Sequence, residues 1–65
     1  MRFGQRLRKL REQRGWSQVE MAHLFGIDRG HISDLENGKK SVCLPMLDVL
    51  SQGFGITVAV LMKGV

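Results

Sequence analysis

Apolar residues recur along this chain at intervals of three or four positions, which is the spacing of one face of an α-helix. The first stripe predicts a helix over about residues 2–14 that ends at Gly15, and it consists of Phe3, Leu7 and Leu10. A second stripe predicts a helix over about residues 44–53 and consists of Leu44, Leu47, Leu50 and Phe54. In the region between these two segments, helices are indicated by the residues that begin and end them.

Two short helices are predicted in that middle region. Ser17 opens a capping box before a helix of about residues 18–25. Asp28 is the N-cap of a second helix, about residues 29–37. Because a glycine turn joins them, the pair at about residues 18–37 is typical of a helix-turn-helix.

The C-terminal segment Ile56–Met62 is ambiguous by pattern alone. Its sequence ITVAVLM has the β-branched composition of a strand. Thr57, however, is a good N-cap, and a lone strand has no partner in an otherwise helical chain. We therefore expect a short fifth helix, and an all-α fold: a compact bundle of five short helices in one domain spanning residues 1–65.

Charge adds a candidate partner. The chain has 65 residues, with ten Lys and Arg against six Asp and Glu, for a net charge of +4. Six of the ten basic residues fall within the first 14 positions. A small basic domain indicates a polyanion, most often nucleic acid. A basic helix face that only keeps the protein in solution explains the charge equally well.

Other function classes find no support in the pattern. One cysteine and two histidines give neither a disulfide nor metal-ligand spacing. There is no nucleophile–base pair, paired carboxylate or phosphate-binding glycine loop, so neither an enzyme nor a cofactor is expected. No apolar run is long enough to span a membrane, and the N-terminus lacks the apolar core of a secretory signal. We expect a cytoplasmic protein.

The register of the middle region resembles a known family. It is similar to the phage-repressor/Cro-like helix-turn-helix proteins, also called the XRE family, which have the lambda repressor-like DNA-binding fold. The resemblance covers nearly the whole chain. The residues that carry it are Ser17-Gln18, Met21-Ala22, Phe25-Gly26-Ile27, Ile32-Ser33 and Leu35-Glu36-Asn37-Gly38-Lys39. It implies a transcriptional regulator whose third helix lies in the major groove of double-stranded DNA.

The outward face of the third helix supplies the candidate base-reading residues: Arg29, Gly30, Ser33 and Asp34. Arg29 is the strongest, because a guanidinium can bind both acceptors of guanine. Asp34 has two interpretations. It either accepts a hydrogen bond from cytosine, or it pairs with Arg29 or caps locally and contacts no base.

Phosphate contacts are implied at both ends of the motif. Ser17 and Gln18 open the second helix, where free N–H groups and the helix dipole favour an anion. Asn37, Lys39 and Lys40 follow the third helix, where the resemblance implies further contacts with the DNA backbone. For the two lysines, ordinary solvated charge is the alternative. The resemblance also implies a structural ion pair between Arg11 and Glu36.

The apolar tail suggests an assembly. A chain this short has little core in which to hide every apolar residue between Ile56 and Val65, and an exposed apolar patch marks an interface. We expect a homodimer centred on Val58, Leu61 and Met62 that binds a pseudo-palindromic operator. The alternative is an antitoxin-like interaction module that binds a partner protein and its own operator.

Overall fold

The structure, a computed structural model of residues 1–65, contains five α-helices and no strand. They are α1 (Phe3–Gln13), α2 (Gln18–Phe25), α3 (Arg29–Glu36), α4 (Leu44–Phe54) and α5 (Val58–Leu61). The predicted all-α fold is confirmed. The ambiguous tail is helical, because Thr57 caps α5 by accepting from the N–H of Val60 at 3.1 Å.

Local end signals fix the turn between α2 and α3. Ser17 and Glu20 form the reciprocal capping box, each side chain accepting from the other's N–H at 3.0 Å. Gly26 has φ 66° and ψ 32°, the left-handed conformation that glycine adopts at little cost. Asp28 then caps α3 by accepting from the N–H of Gly30 at 3.0 Å. The caps and the turn of the helix-turn-helix therefore follow from short-range hydrogen bonds and one glycine.

Every helix contributes to one hydrophobic core. Its buried members are Leu7, Leu10, Met21, Ile32, Leu35, Leu50, Phe54 and Leu61. An aromatic cluster of Trp16, Phe25 and Phe54 flanks the core, with ring centroids 5.1–5.7 Å apart. The core positions α3 with Ile32 and Leu35 inward, which leaves its opposite face in solvent.

Leu61 corrects the predicted dimer contact. We expected it at the centre of an interface, but its side chain is fully buried in the monomer core. The reason is that α5 has a single turn and is fastened to α1: Arg6 donates to the carbonyls of Val60 and Leu61 at 2.7 and 3.2 Å. That attachment turns Leu61 inward and leaves Val58 and Val60 exposed.

A close helix crossing at Gly4 was not predicted from the sequence. A Cβ atom at this position would overlap the carbonyl oxygens of Leu35 and Glu36. Because those atoms belong to the backbone of α3, only glycine allows α1 to approach this closely. In the sequence, Gly4 looks merely like a weak position in a helix.

A buried ion pair joins α1 to α3. Nε and Nη2 of Arg11 donate to the two carboxylate oxygens of Glu36 at 2.7 and 3.1 Å, and Nη1 donates to the carbonyl of Trp16 at 2.7 Å. The side chains are 10% and 2% exposed. The hydrogen bond to Glu36 raises the pKa of Arg11 above its usual value, against the opposing effect of burial. The guanidinium is therefore charged at any ordinary pH.

Arg11→Met tests this pair. The substitution leaves the carboxylate of Glu36 buried without its cation, so we expect the free energy of unfolding in urea to fall by about 3 kcal/mol. Arg8→Ala is the matched control, because Arg8 lies 3.6 Å from Glu12 with both side chains 60% exposed. Its loss should change stability by no more than about 0.5 kcal/mol. Equal losses in the two variants would contradict the structural role of Arg11.

Candidate nucleic-acid interface

The exposed face of α3 presents an arginine with no protein partner. Arg29 is the first residue of the helix, and its guanidinium makes no hydrogen bond or ion pair within the chain. All of its N–H donors therefore point to solvent. A guanidinium in this state can bind a planar acceptor pair without first breaking a contact.

Gly30 leaves the same face flat beside Arg29. A Cβ there would lie 2.8 Å from a carboxylate oxygen of Asp28, the same oxygen that caps α3 by accepting from the N–H of Gly30. A side chain at this position would therefore press on the cap of α3. Because Gly30 has no side chain, nothing projects from the exposed face of α3 beside the free guanidinium of Arg29.

The remaining predicted base-reading residues have partners in the free protein. Ser33 accepts a hydrogen bond from Nδ2 of Asn37 at 3.2 Å. Oδ2 of Asp34 lies 3.5 Å from Nζ of Lys40, and Asp34 is not paired with Arg29 as one interpretation expected. Since exposed ion pairs contribute about 0–1 kcal/mol, a phosphate or a base can compete for either partner.

The first residue of α2 is hydrogen-bonded to the buried carboxylate of Glu36. Nε2 of Gln18 donates to Oε1 of Glu36 at 3.2 Å, which connects the ion pair of α1 and α3 to the first residue of α2. A carboxamide nitrogen carries two hydrogens, so Gln18 keeps one N–H for another acceptor. Ser17 uses its hydroxyl oxygen as the acceptor in the capping box and keeps its O–H as a donor.

The loop after α3 leaves in a fixed direction. Gly38 has φ 73°, and the N–H of Lys39 donates to the carbonyl of Asp34 at 2.8 Å, as in a Schellman motif. The side chain of Lys39 is exposed and has no carboxylate partner. The loop thus adds a free ammonium group directly beyond the exposed face of α3.

Two of the six basic residues near the N-terminus have structural roles that sequence reasoning missed. Arg6 binds the end of α5, and Arg14 donates to the carbonyl of Phe54 at 2.7 Å while lying over the Trp16 ring. Arg8 pairs with Glu12, as described above. Within this group only the Arg2 and Lys9 side chains make no hydrogen bond or ion pair, and the terminal amine donates to the carbonyl of Gly64 at 2.8 Å. Together with Arg11, three of these six basic residues therefore bind groups inside the protein.

Two further features of the chain bear on function. No group of three or more His, Cys, Asp and Glu side chains is placed to hold a metal ion. None of the five helices has the length and apolar character needed to cross a bilayer.

A helix-turn-helix family model matches residues 7–61. The chain is 39% identical over its full length to the control protein C.MunI of a Mycoplasma species, covering 89% of that protein. It is 38% identical over its full length to the HTH-type transcriptional regulator DdrOP3 of Deinococcus deserti, and covers 50% of it.

A solved structure agrees with these matches. The restriction-modification controller protein C.AhdI from Aeromonas hydrophila superimposes with a TM-score of 0.86 at 38% identity, over 94% of this chain and 92% of that one. The family match covers the two helices whose caps, turn and exposed face are described above. The chain belongs to the XRE-type helix-turn-helix family, and it is a DNA-binding transcriptional regulator.

Proposed function

We propose that this regulator binds a pseudo-palindromic operator as a homodimer, with α3 of each copy in the major groove. The observation that carries the proposal is the outward face of α3, where an unpaired Arg29 stands beside the flat surface of Gly30. The protein acts by occupying DNA and not by catalysis, and it does so in the cytoplasm of a bacterium, on chromosomal or phage DNA.

Base reading is assigned first to Arg29, which binds the two major-groove acceptors of a guanine. Ser33 and Asp34 are the adjacent readers. Asp34 becomes available when a phosphate draws Lys40 away from it, because their contact at 3.5 Å is partly exposed and weak. Gly30 lets the helix come close to the base edges.

Phosphate contacts hold the motif in register from its two ends. Ser17 and the remaining N–H of Gln18 bind one backbone segment at the N-terminus of α2, where the helix dipole assists. Asn37, Lys39 and Lys40 bind another beyond α3. The bond from Gln18 to Glu36 supports this assignment, because it fixes the amide before DNA arrives.

The dimer is assigned to the surface of α4 and α5. A single helix in the groove contacts few base pairs, and two-fold symmetry doubles the readout. With Leu61 in the core, the contact is carried by Val58 and by Met62, which is half-buried. The other exposed apolar residues of this C-terminal region are Leu44, Val49, Val60 and Val65. Binding of a partner protein through the same surface, as in the antitoxin-like alternative, remains a prediction.

Arg29→Ala separates base reading from phosphate contact. We expect the variant to lose about 1–3 kcal/mol of binding free energy at its best site and to bind random duplex nearly as the wild type does. Lys39→Ala is the matched cation control, and it should weaken all sequences alike. Fluorescence anisotropy with a selected and a scrambled duplex makes the comparison. An equal loss on both duplexes for Arg29→Ala would show that Arg29 contacts phosphate only.

Val58→Asp tests the dimer. Val58 is 41% exposed, so the charge should leave the monomer folded while it prevents association. Sedimentation across micromolar concentrations should show wild-type dimer and Val58→Asp monomer. Val19→Asp is the control, because Val19 is 60% exposed and lies on α2, outside the assigned dimer surface. The Val19→Asp protein should dimerise normally. A wild type that stays monomeric, or a Val58→Asp protein that still dimerises, would contradict the assignment.

A further inference from the structure

A polar hollow lies between the start of α1 and the end of α3. Its volume is about 270 Å³, and none of the residues that line it is hydrophobic. The residues around it are Arg2, Gly4, Gln5, Glu36, Asn37 and Gly38. Neither the base-reading nor the phosphate-binding assignments above include Arg2 or Gln5.

The close crossing at Gly4 creates this hollow. Since Gly4 rests directly on the carbonyl oxygens of Leu35 and Glu36, the first residues of α1 are brought against the end of α3. The two walls of the hollow are therefore Arg2 and Gln5 on one side and Asn37 on the other. Asn37 is already assigned to the DNA backbone, so the hollow continues that surface towards α1.

Hydrogen-bond donors dominate the hollow. The Arg2 guanidinium is exposed and makes no hydrogen bond or ion pair. Gln5 accepts from the N–H of Arg2 through Oε1 at 3.0 Å, which leaves both hydrogens of its amide nitrogen free. Nδ2 of Asn37 gives one hydrogen to Ser33 and keeps the other. Three side chains from two helix ends thus offer unused donors to one small space.

The one carboxylate in the lining does not repel an anion strongly. Both oxygens of Glu36 accept hydrogen bonds from Arg11, and Oε1 also accepts from Gln18. Its charge is therefore balanced inside the protein, and its side chain is 2% exposed. The positive end of the α1 dipole and the negative end of the α3 dipole meet at the hollow and oppose each other, so the unpaired cation of Arg2 sets the sign of the potential.

We propose that this hollow binds a phosphate group of the DNA backbone through Arg2, Gln5 and Asn37. The contact extends the phosphate surface from the loop after α3 onto the start of α1. The inference rests on the proposed function, because DNA must lie along α3 for its backbone to reach the hollow. Being a backbone contact, it strengthens binding to every sequence alike.

Arg2→Ala and Arg8→Ala form a matched pair, because each removes one arginine charge from α1 or its N-cap. The probe is a random-sequence DNA duplex, titrated at several salt concentrations. Arg2→Ala should lower affinity by roughly three- to tenfold and reduce the slope of log K against log salt by about one. Arg8→Ala should change affinity less than about twofold and leave the slope unaltered. Equal effects in the two variants would overturn the proposal.

Gln5→Glu provides a second test that keeps the helix cap. The new carboxylate still accepts from the N–H of Arg2, so thermal melting should be unchanged, while the amide donors are replaced by a negative charge. We expect duplex affinity to fall at least as far as in Arg2→Ala. A Gln5→Glu protein that melts and binds like the wild type would overturn the assignment of Gln5.

A titration with inorganic phosphate distinguishes a backbone phosphate from a free anion. The side-chain NMR signals of Arg2 and Gln5 should shift with micromolar duplex and stay fixed in millimolar inorganic phosphate. Saturation by inorganic phosphate at micromolar concentration, with duplex binding unaffected by Arg2→Ala, would overturn the proposal in favour of a free-anion site.

Lys39→Ala separates the failure of this inference from failure of the proposed function. If Lys39→Ala weakens duplex binding while Arg2→Ala behaves as Arg8→Ala does, the hollow is not a phosphate site and the regulator still binds DNA as proposed. A wild-type protein with no salt-dependent duplex binding would overturn both.

Discussion

The buried ion pair between Arg11 and Glu36 is the constraint on which the rest of this small protein depends. Its 2%-exposed carboxylate is tolerated only because the guanidinium meets both oxygens and Gln18 donates to one of them. Those bonds connect α1, α3 and the first residue of α2, and a bond from Arg11 to the carbonyl of Trp16 adds the segment before α2. These bonds help to fix the angle between α2 and α3, and they lie on the side of α3 opposite its exposed face. The residues on the exposed face are therefore not needed to hold the helix in position.

Two groups of cations have opposite roles in this arrangement. Arg6, Arg11 and Arg14 bind carbonyls or a carboxylate inside the protein and hold α5, α3 and α4 in place. Arg29 and Lys39 have no protein partner and stand on or beyond α3. A net charge of +4 therefore does not describe the exposed face of α3. Its character comes from a few cations that the fold leaves unpaired in one region.

The parts that sequence predicted well are those set by short-range chemistry. Caps at Ser17, Asp28 and Thr57 mark the starts of α2, α3 and α5 because each side chain bonds an N–H within three residues. Long-range packing was beyond such signals. Leu61 was expected at a dimer contact. Its burial depends on contact with α1, where Arg6, 55 residues earlier in the chain, donates to the carbonyl of Leu61. The crossing at Gly4 and the pairing of Asp34 with Lys40 likewise depend on how helices and loops meet.

The central claim is that two copies of α3, held in a fixed orientation, read two inverted half-sites. Selection of bound duplexes from a random-sequence pool with the purified wild-type protein tests it most directly. The account predicts enrichment of an inverted repeat whose half-sites are centred about one helical turn apart, roughly 34 Å, with a guanine in each half-site. A pool that remains random after repeated rounds, or one that converges on a single unrepeated site, would contradict it.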